Sequence, residues 1–205
     1  MELYYTSGAS LLAAHIVARE LGLAGSLNKV DPVTSTTGGS REFASIHLKG
    51  YVPTSEIKSG AVLTEVTSLL LYLADQASKK RLAPANSTLE RYRFIEWLIF
   101  ISSEIHKGFG PPWTLATSEA TRRAAIERLE QRFTYLDWLL TDRPCLMGEG
   151  FTAADAYLFT IVNWATYHNV ALSPCPNLLA FLARVYARLA VPQASQAQGL
   201  LEQAA

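Results

Sequence analysis

Strand signals in this chain stop early. Before Thr64 short β-type segments alternate with helical ones, and from Leu89 onward only helical periodicity is convincing. A chain patterned this way is expected to build a small α/β domain followed by an all-helical one. Leu3-Tyr4-Tyr5 reads as a short buried strand. Ser10 suits the N-cap of a helix that carries Leu11-Leu12 and Ile16-Val17 and closes at Gly22. Ser26 to Val30 reads as a second strand and Ser35 to Ser40 as a loop. Thr54 to Ile57 and Ala61 to Leu63 read as a hairpin turning at Lys58-Ser59-Gly60, and Thr64 to Ala74 as a helix. The expected order is strand, helix, strand, helix, strand, strand, helix.

Residues 78–87 hold Lys79-Lys80-Arg81, Pro84 and Asn86 and read as a linker, which places the domains at 1–77 and 88–205. Beyond the linker, Leu89 to Phe109 predicts a long helix broken at Pro111-Pro112. Ser118 to Leu140 predicts an amphipathic helix with Ile126, Leu129, Phe133, Leu136 and Leu140 on one face. Thr152-Ala153-Ala154-Asp155 has the form of a capping box, with Asp where Glu or Gln is usual. Pro176 opens a further helix that ends near Arg188, and Pro192 a short last one.

Composition removes several classes of function. Lys plus Arg and Asp plus Glu each total 18, seven of each in residues 1–80 and eleven of each in residues 81–205. Neither part has the cationic excess that a phosphate backbone demands, so nucleic acid is not an expected partner. Apolar runs such as Trp97 to Ile101 are far too short to cross a bilayer, and the Met1-Glu2-Leu3 start has no secretory pattern. Cys145 and Cys175 form no disulfide or redox motif. His15, His47, His106 and His168 stand apart, so no metal is expected. A cytoplasmic location is the expectation.

The chemistry-bearing signal is Gly50-Tyr51-Val52-Pro53 just before the hairpin, with Leu63-Thr64-Glu65 just after it. These motifs belong to an ordered set that runs the length of the chain. The set includes Ala13-Ala14-His15-Ile16-Val17, Glu20-Leu21-Gly22-Leu23, Tyr72-Leu73-Ala74-Asp75, Ser102-Ser103-Glu104-Ile105-His106-Lys107 and Ala153-Ala154-Asp155-Ala156-Tyr157. The set resembles the cytosolic glutathione transferases, and more narrowly their bacterial beta class. The resemblance implies a thioredoxin-like N-terminal domain that binds glutathione as co-substrate and an all-α C-terminal domain that forms the hydrophobic substrate site. It also implies a homodimer.

Residue by residue, the resemblance implies a cis Val52-Pro53 bond, with Tyr51 and the Val52 backbone against the bound peptide. Glu65 then takes the γ-glutamyl ammonium, and the Val66 backbone the adjoining carboxylate. His106 lies near the sulfur and Lys107 near the glycyl carboxylate. Phe109, Pro111, Pro112, Trp113 and Trp164 line the groove for a small hydrophobic electrophile, with Phe109 and Trp113 the foremost candidates. Four positions depart from the family's pattern. Ser10 stands where the beta class carries cysteine, Val66 where it carries serine, Ser35 near a usual lysine, and Ile99 in place of an asparagine that reaches the partner's glutathione.

With serine at position 10 no mixed disulfide with glutathione can form, but the hydroxyl can donate to a thiolate. The implied function is therefore conjugation of glutathione to small hydrophobic electrophiles in detoxification, with Ser10 stabilising the thiolate. The alternative is a catalytically weak protein of the same fold that binds apolar ligands. Purely structural readings also stand: Ser10 as a plain N-cap, Glu65 as a helix first-turn acid, His106 as a satisfied polar residue, Lys107 as a solvated charge.

Overall fold

The computed structural model describes residues 1–23, 25–38, 42–57, 59–76 and 81–200. By their contacts they form two units: residues 1–81 with those from Arg188 onward, and Leu82–Ala187.

In the first unit the central strand is β1 (Glu2–Tyr5), buried along most of its length because sheet lies on both sides of it. It pairs in parallel with β2 (Ser26–Asp31) and antiparallel with β4 (Thr54–Glu56), while β5 (Val62–Thr64) extends the hairpin from β4. A two-residue strand, β3 (Thr36–Thr37), closes the other edge, giving the order β3-β2-β1-β4-β5. The helix expected between β2 and β4 is instead one 3₁₀ turn, Phe43–Ser45. Lys58 of the expected hairpin turn, Gly39 and Ser40 of the expected loop, and 78–80 of the expected linker lie outside the described residues.

Alternation along β1 separates the core into two sets. Tyr4 joins Val30 and Phe43 in a small cluster against which Ile46 and Val52 pack, and this seats the segment that leads into β4. Helices α1 (Leu11–Glu20) and α2 (Val66–Asp75) pack on one another through Leu11, Ile16, Leu69, Leu70 and Leu73, all essentially unexposed. The last helix of the chain, α8 by the count completed below (Ala190–Ala197), also docks on α1. Arg188 holds Glu20 through two bonds of 2.7 and 3.1 Å. Pro192 lies inside this helix's first turn rather than opening it, a place where the missing N–H costs nothing.

His15 is buried under α8. Arg19 donates to its Nε2 at 2.9 Å, so the neutral ring carries its proton on Nδ1, which faces the Gln198 amide at 3.4 Å. Turning that amide sets Gln198 Oε1, which has no partner among the described residues, against Nδ1–H. Burial, then the Arg19 charge, lowers the His15 pKa to about 4.

The second unit is helical. Leu82 is buried and its carbonyl accepts the Ala153 N–H, so the chain is tied into this unit before α3 (Leu89–Phe100) begins. The Thr88 hydroxyl caps α3 by accepting from Arg91 N–H. The helical path continues through a π turn (Ile101–His106) and a 3₁₀ turn (Lys107–Phe109) into α4 (Gly110–Trp113). Pro111 and Pro112 occupy the start of that short helix and do not break the path. Next come α5 (Glu119–Leu139), α6 (Ala153–Val162) and α7 (Pro176–Tyr186), completing the count to α8. Leu129, Phe133 and Leu136 form the buried stripe of α5, whereas all ten residues of α6 are buried. Asp137 of α5 caps α7 by accepting from the Asn177 and Leu178 N–H groups at 2.7 and 2.9 Å. None of the described helices is long and apolar enough to cross a membrane.

Candidate functional site

Two groups of expected site residues come together, one in each unit. In the first unit the hairpin register sets the arrangement. Thr54 pairs with Thr64, so residues just before β4 face those just after β5, and Lys49, Tyr51, Val52 and Pro53 converge on Glu65. The Val52–Pro53 bond is cis, as the resemblance implied. Val52 is held against the Tyr4–Val30–Phe43 cluster, while Tyr51 projects outward with 45% of its surface exposed.

Glu65 immediately precedes α2 and has φ 66° and ψ 124°, a backbone conformation that favours glycine. Its side chain does not cap the helix. The carboxylate instead accepts from the Tyr51 hydroxyl at 2.7 Å and from Lys49 Nζ at 3.0 Å, both on Oε1. Those two bonds, Tyr51 first, hold the Glu65 carboxyl below the usual carboxylate range. Lys49 also donates to Thr64 Oγ1 at 3.1 Å, and its bond to Glu65 raises its pKa. His47 packs edge-on to Tyr51, and its buried Nε2 has no partner among the described residues. Burial lowers the His47 pKa, and the Lys49 charge adds to the effect.

Val66 is 4% exposed, so its side chain belongs to the core and only its backbone N–H is offered at the helix start. Ser10 stands at the entry to α1 in helical geometry, φ −59° and ψ −16°, and makes no side-chain capping bond. Ser10 thus holds the expected N-cap position, but its hydroxyl makes no capping bond to the helix. Ser35 adopts φ 51° and passes its carbonyl to Phe43 N–H, a turn role.

In the second unit, His106 Nδ1 bonds the Tyr157 hydroxyl at 2.7 Å, and the ring stands edge-on to Trp164 at 5.0 Å. Tyr157 is fully buried on α6, so His106 is fixed in orientation. Lys107, next in sequence, is exposed. Trp113 is half exposed and meets Trp164 and His168 edge-on at 5.9 and 4.3 Å. Arg122 pins its short helix by donating to the Pro112 carbonyl at 2.7 Å. Phe109, expected to line the electrophile groove, has no exposed surface; it packs among Phe133, Trp164 and His168 and serves as support. Ile99 is 55% exposed on α3.

Sequence reasoning missed Lys49 and His168. Lys49 was legible only through the hairpin register, which brings it to Glu65 across sixteen positions. His168 has a buried Nε2 without a partner among the described residues and sits against Trp113; no spacing in the sequence announced it.

Comparison with known proteins identifies the family. Residues 92–188 match the glutathione S-transferase C-terminal domain family. The glutathione S-transferase GstA of Escherichia coli O157:H7 is 37% identical over 98% of this chain and 100% of its own length. A sphingomonad glutathione S-transferase solved in complex with glutathione is 37% identical, with a TM-score of 0.95 over 98% of this chain and all of that one. A bacterial beta-class glutathione S-transferase from Sphingomonas chungbukensis is 38% identical, with a TM-score of 0.94 over the same shares.

Proposed function

Since the chain belongs to the glutathione S-transferase family, we propose that it conjugates the thiolate of glutathione to small hydrophobic electrophiles, with Ser10 as the donor that stabilises the sulfur. The observation that carries this reading is the Ser10 hydroxyl, which stands at a helix entry and makes no capping bond. An anionic sulfur there receives the partial positive charge of the α1 N-terminus and one O–H bond. Both interactions favour thiolate over thiol and lower its pKa from about 8.5 toward neutrality.

The glutathione thiol gives its proton to solvent. The thiolate then attacks the electrophilic carbon, forming a C–S bond, and the leaving group departs with its electron pair. Ser10 keeps its own proton and is never acylated or alkylated. The rate gain comes from holding the thiolate ionised and aimed.

The remaining residues place the ligand. Val52 and Tyr51 run beside its backbone, Oε2 of Glu65 takes the γ-glutamyl ammonium, and Val66 N–H takes the carboxylate. For the second unit the resemblance assigns His106, held by Tyr157, to the sulfur. Lys107 takes the glycyl carboxylate, and Trp113 offers an apolar surface to the electrophile. On this reading the protein works as a cytoplasmic homodimer, with Ile99 directed to the partner's ligand.

A second reading, a catalytically weak binder of apolar molecules, draws on Val66, a buried side chain with no hydroxyl where the resemblance implies a serine. Retention on immobilised glutathione with elution by free glutathione, followed by turnover of chlorodinitrobenzene, separates the two. Neither retention nor turnover leaves only the second. Within the first, Ser10→Ala should cut kcat/KM by about ten- to a hundredfold and raise the pKa seen in the pH–rate profile. An unchanged profile removes Ser10 from the mechanism.

A further inference from the structure

Lys49 has three N–H donors, and two are committed, to Thr64 Oγ1 at 3.1 Å and Glu65 Oε1 at 3.0 Å. Glu65 has two oxygens, and among the described residues both of its bonds fall on Oε1. Among the described residues the pair therefore presents one open donor on Lys49 and one open acceptor, Oε2, side by side at the start of α2. That is the complement of a free α-amino-acid group, which carries an ammonium and a carboxylate on one carbon. The pair is also neutral in sum, as such a ligand group is.

Resting on the glutathione reading above, we propose that Lys49 is a specificity-determining residue: its third N–H binds the α-carboxylate of the γ-glutamyl group while Glu65 binds the ammonium. Lys49 thereby replaces the hydroxyl absent at Val66. The carboxylate lies between the Lys49 ammonium and the N–H groups of the first turn of α2, which the Glu65 side chain leaves uncapped. Tyr51 supports the arrangement from below. Its hydroxyl holds Glu65 at 2.7 Å and its ring lies 5.8 Å from Lys49 Nζ, so neither charge has to be ordered when ligand arrives. Lys49 is half exposed, which leaves it open to ligand and safe to replace without loss of the fold.

The opposite possibility makes the proposal sharp. If Lys49 merely occupies the place of the ligand's ammonium, removing it opens Glu65 and tightens binding. The test is calorimetric titration of wild type, Lys49→Met and Lys49→Arg with glutathione. The same three proteins are titrated with γ-aminobutyryl-cysteinylglycine, which lacks only the α-carboxylate. Lys49→Met should weaken glutathione about five- to tenfold and leave the decarboxylated analogue unchanged or bound more tightly, and Lys49→Arg should recover most of the loss. Glutathione bound as well or better by Lys49→Met overturns the proposal, as does an equal loss for both ligands. A wild type that binds glutathione yet gives either of those results refutes the role of Lys49 alone. A wild type that binds neither ligand refutes the glutathione reading itself, and the proposal with it.

Discussion

Glu65 and Asp155 are both acidic residues at the entry to a helix, and the protein uses them in opposite ways. Asp155 is fully buried. Its Oδ1 accepts from Leu146 N–H, and its Oδ2 from Thr152 N–H and Oγ1, each at 2.7 Å. Both oxygens are taken, and all the donors are local. Burial pushes its pKa up while the three bonds oppose the rise. Glu65 is more than half exposed, its bonds come from side chains fourteen and sixteen residues away, and one oxygen is left over. Its pKa is pulled down instead of pushed up. An acid whose oxygens are all closed by donors near it in the chain builds the fold; one held by distant side chains with an oxygen to spare is built for a ligand.

The contrast breaks most visibly at Asp155. Asp155→Ala strands the Leu146 and Thr152 N–H groups in the interior, so unfolding free energy should fall by about 3–5 kcal/mol in urea titration. Glu65→Ala should change it by less than about 1 kcal/mol. Equal losses at the two positions would erase the distinction.

The first unit contains its own fold-building titratable group, and acid should reveal it. His15 is held neutral with a pKa of about 4 against 6.5 in the unfolded chain. Below 6.5 the unfolded chain takes a proton that the folded one refuses. The stability is therefore full above pH 6.5 and is lost as pH falls toward 4. The loss should be about 2–3 kcal/mol, read as a slope in denaturation series across that range. His15→Gln should flatten the slope; a slope unchanged in that variant would assign it elsewhere. Glu65 should enter only at the acid end of that range, because the unfolded chain's carboxyl takes its proton near 4.5 while the folded one holds out to lower pH.

Ligand binding should reverse the ranking. Glu65→Gln should weaken glutathione about tenfold while leaving glutaryl-cysteinylglycine, which lacks the ammonium, unaffected. Calorimetry with the two peptides checks it, and an equal loss for both would mean that Glu65 only supports the loop.

The two acids were not equally readable. Asp155 was legible because its partner lies three residues back, a distance over which a sequence pattern specifies geometry. Its reach to Leu146 was not, since that depends on how the preceding loop folds. Glu65 was legible as a position through the hairpin, but its pairing with Lys49 needed the register, and its positive φ left no mark in an otherwise ordinary Thr-Glu-Val run. Strand β3 escaped notice because two threonines in a loop carry no period. The π turn at Ile101–His106 escaped because one extra residue per turn barely shifts an apolar stripe. The docking of α8 on α1 joins His15 to Gln198 across 183 residues, which no local pattern encodes. Ser10 was identified correctly as a helix entry, yet only the structure separates a capping hydroxyl from one that makes no cap.

The smallest effect tests whether ligand recognition at Glu65 is maintained against the preference of the backbone. At φ 66° and ψ 124° a residue with a Cβ is strained, and glycine is not. Glu65→Gly relieves the strain, gives up some chain entropy in the unfolded state and loses two exposed bonds. The net should be a gain of about 0.5 kcal/mol in stability, because an exposed ion pair contributes little and the strain relief slightly exceeds the entropy term. The same variant should retain no more affinity for glutathione than Glu65→Gln does. A variant at once more stable and weaker in binding, read from the urea midpoint and the calorimetric Kd of one preparation, would show that the chain holds this conformation for its ligand. A variant both less stable and weaker would make Glu65, like Asp155, a residue of the fold.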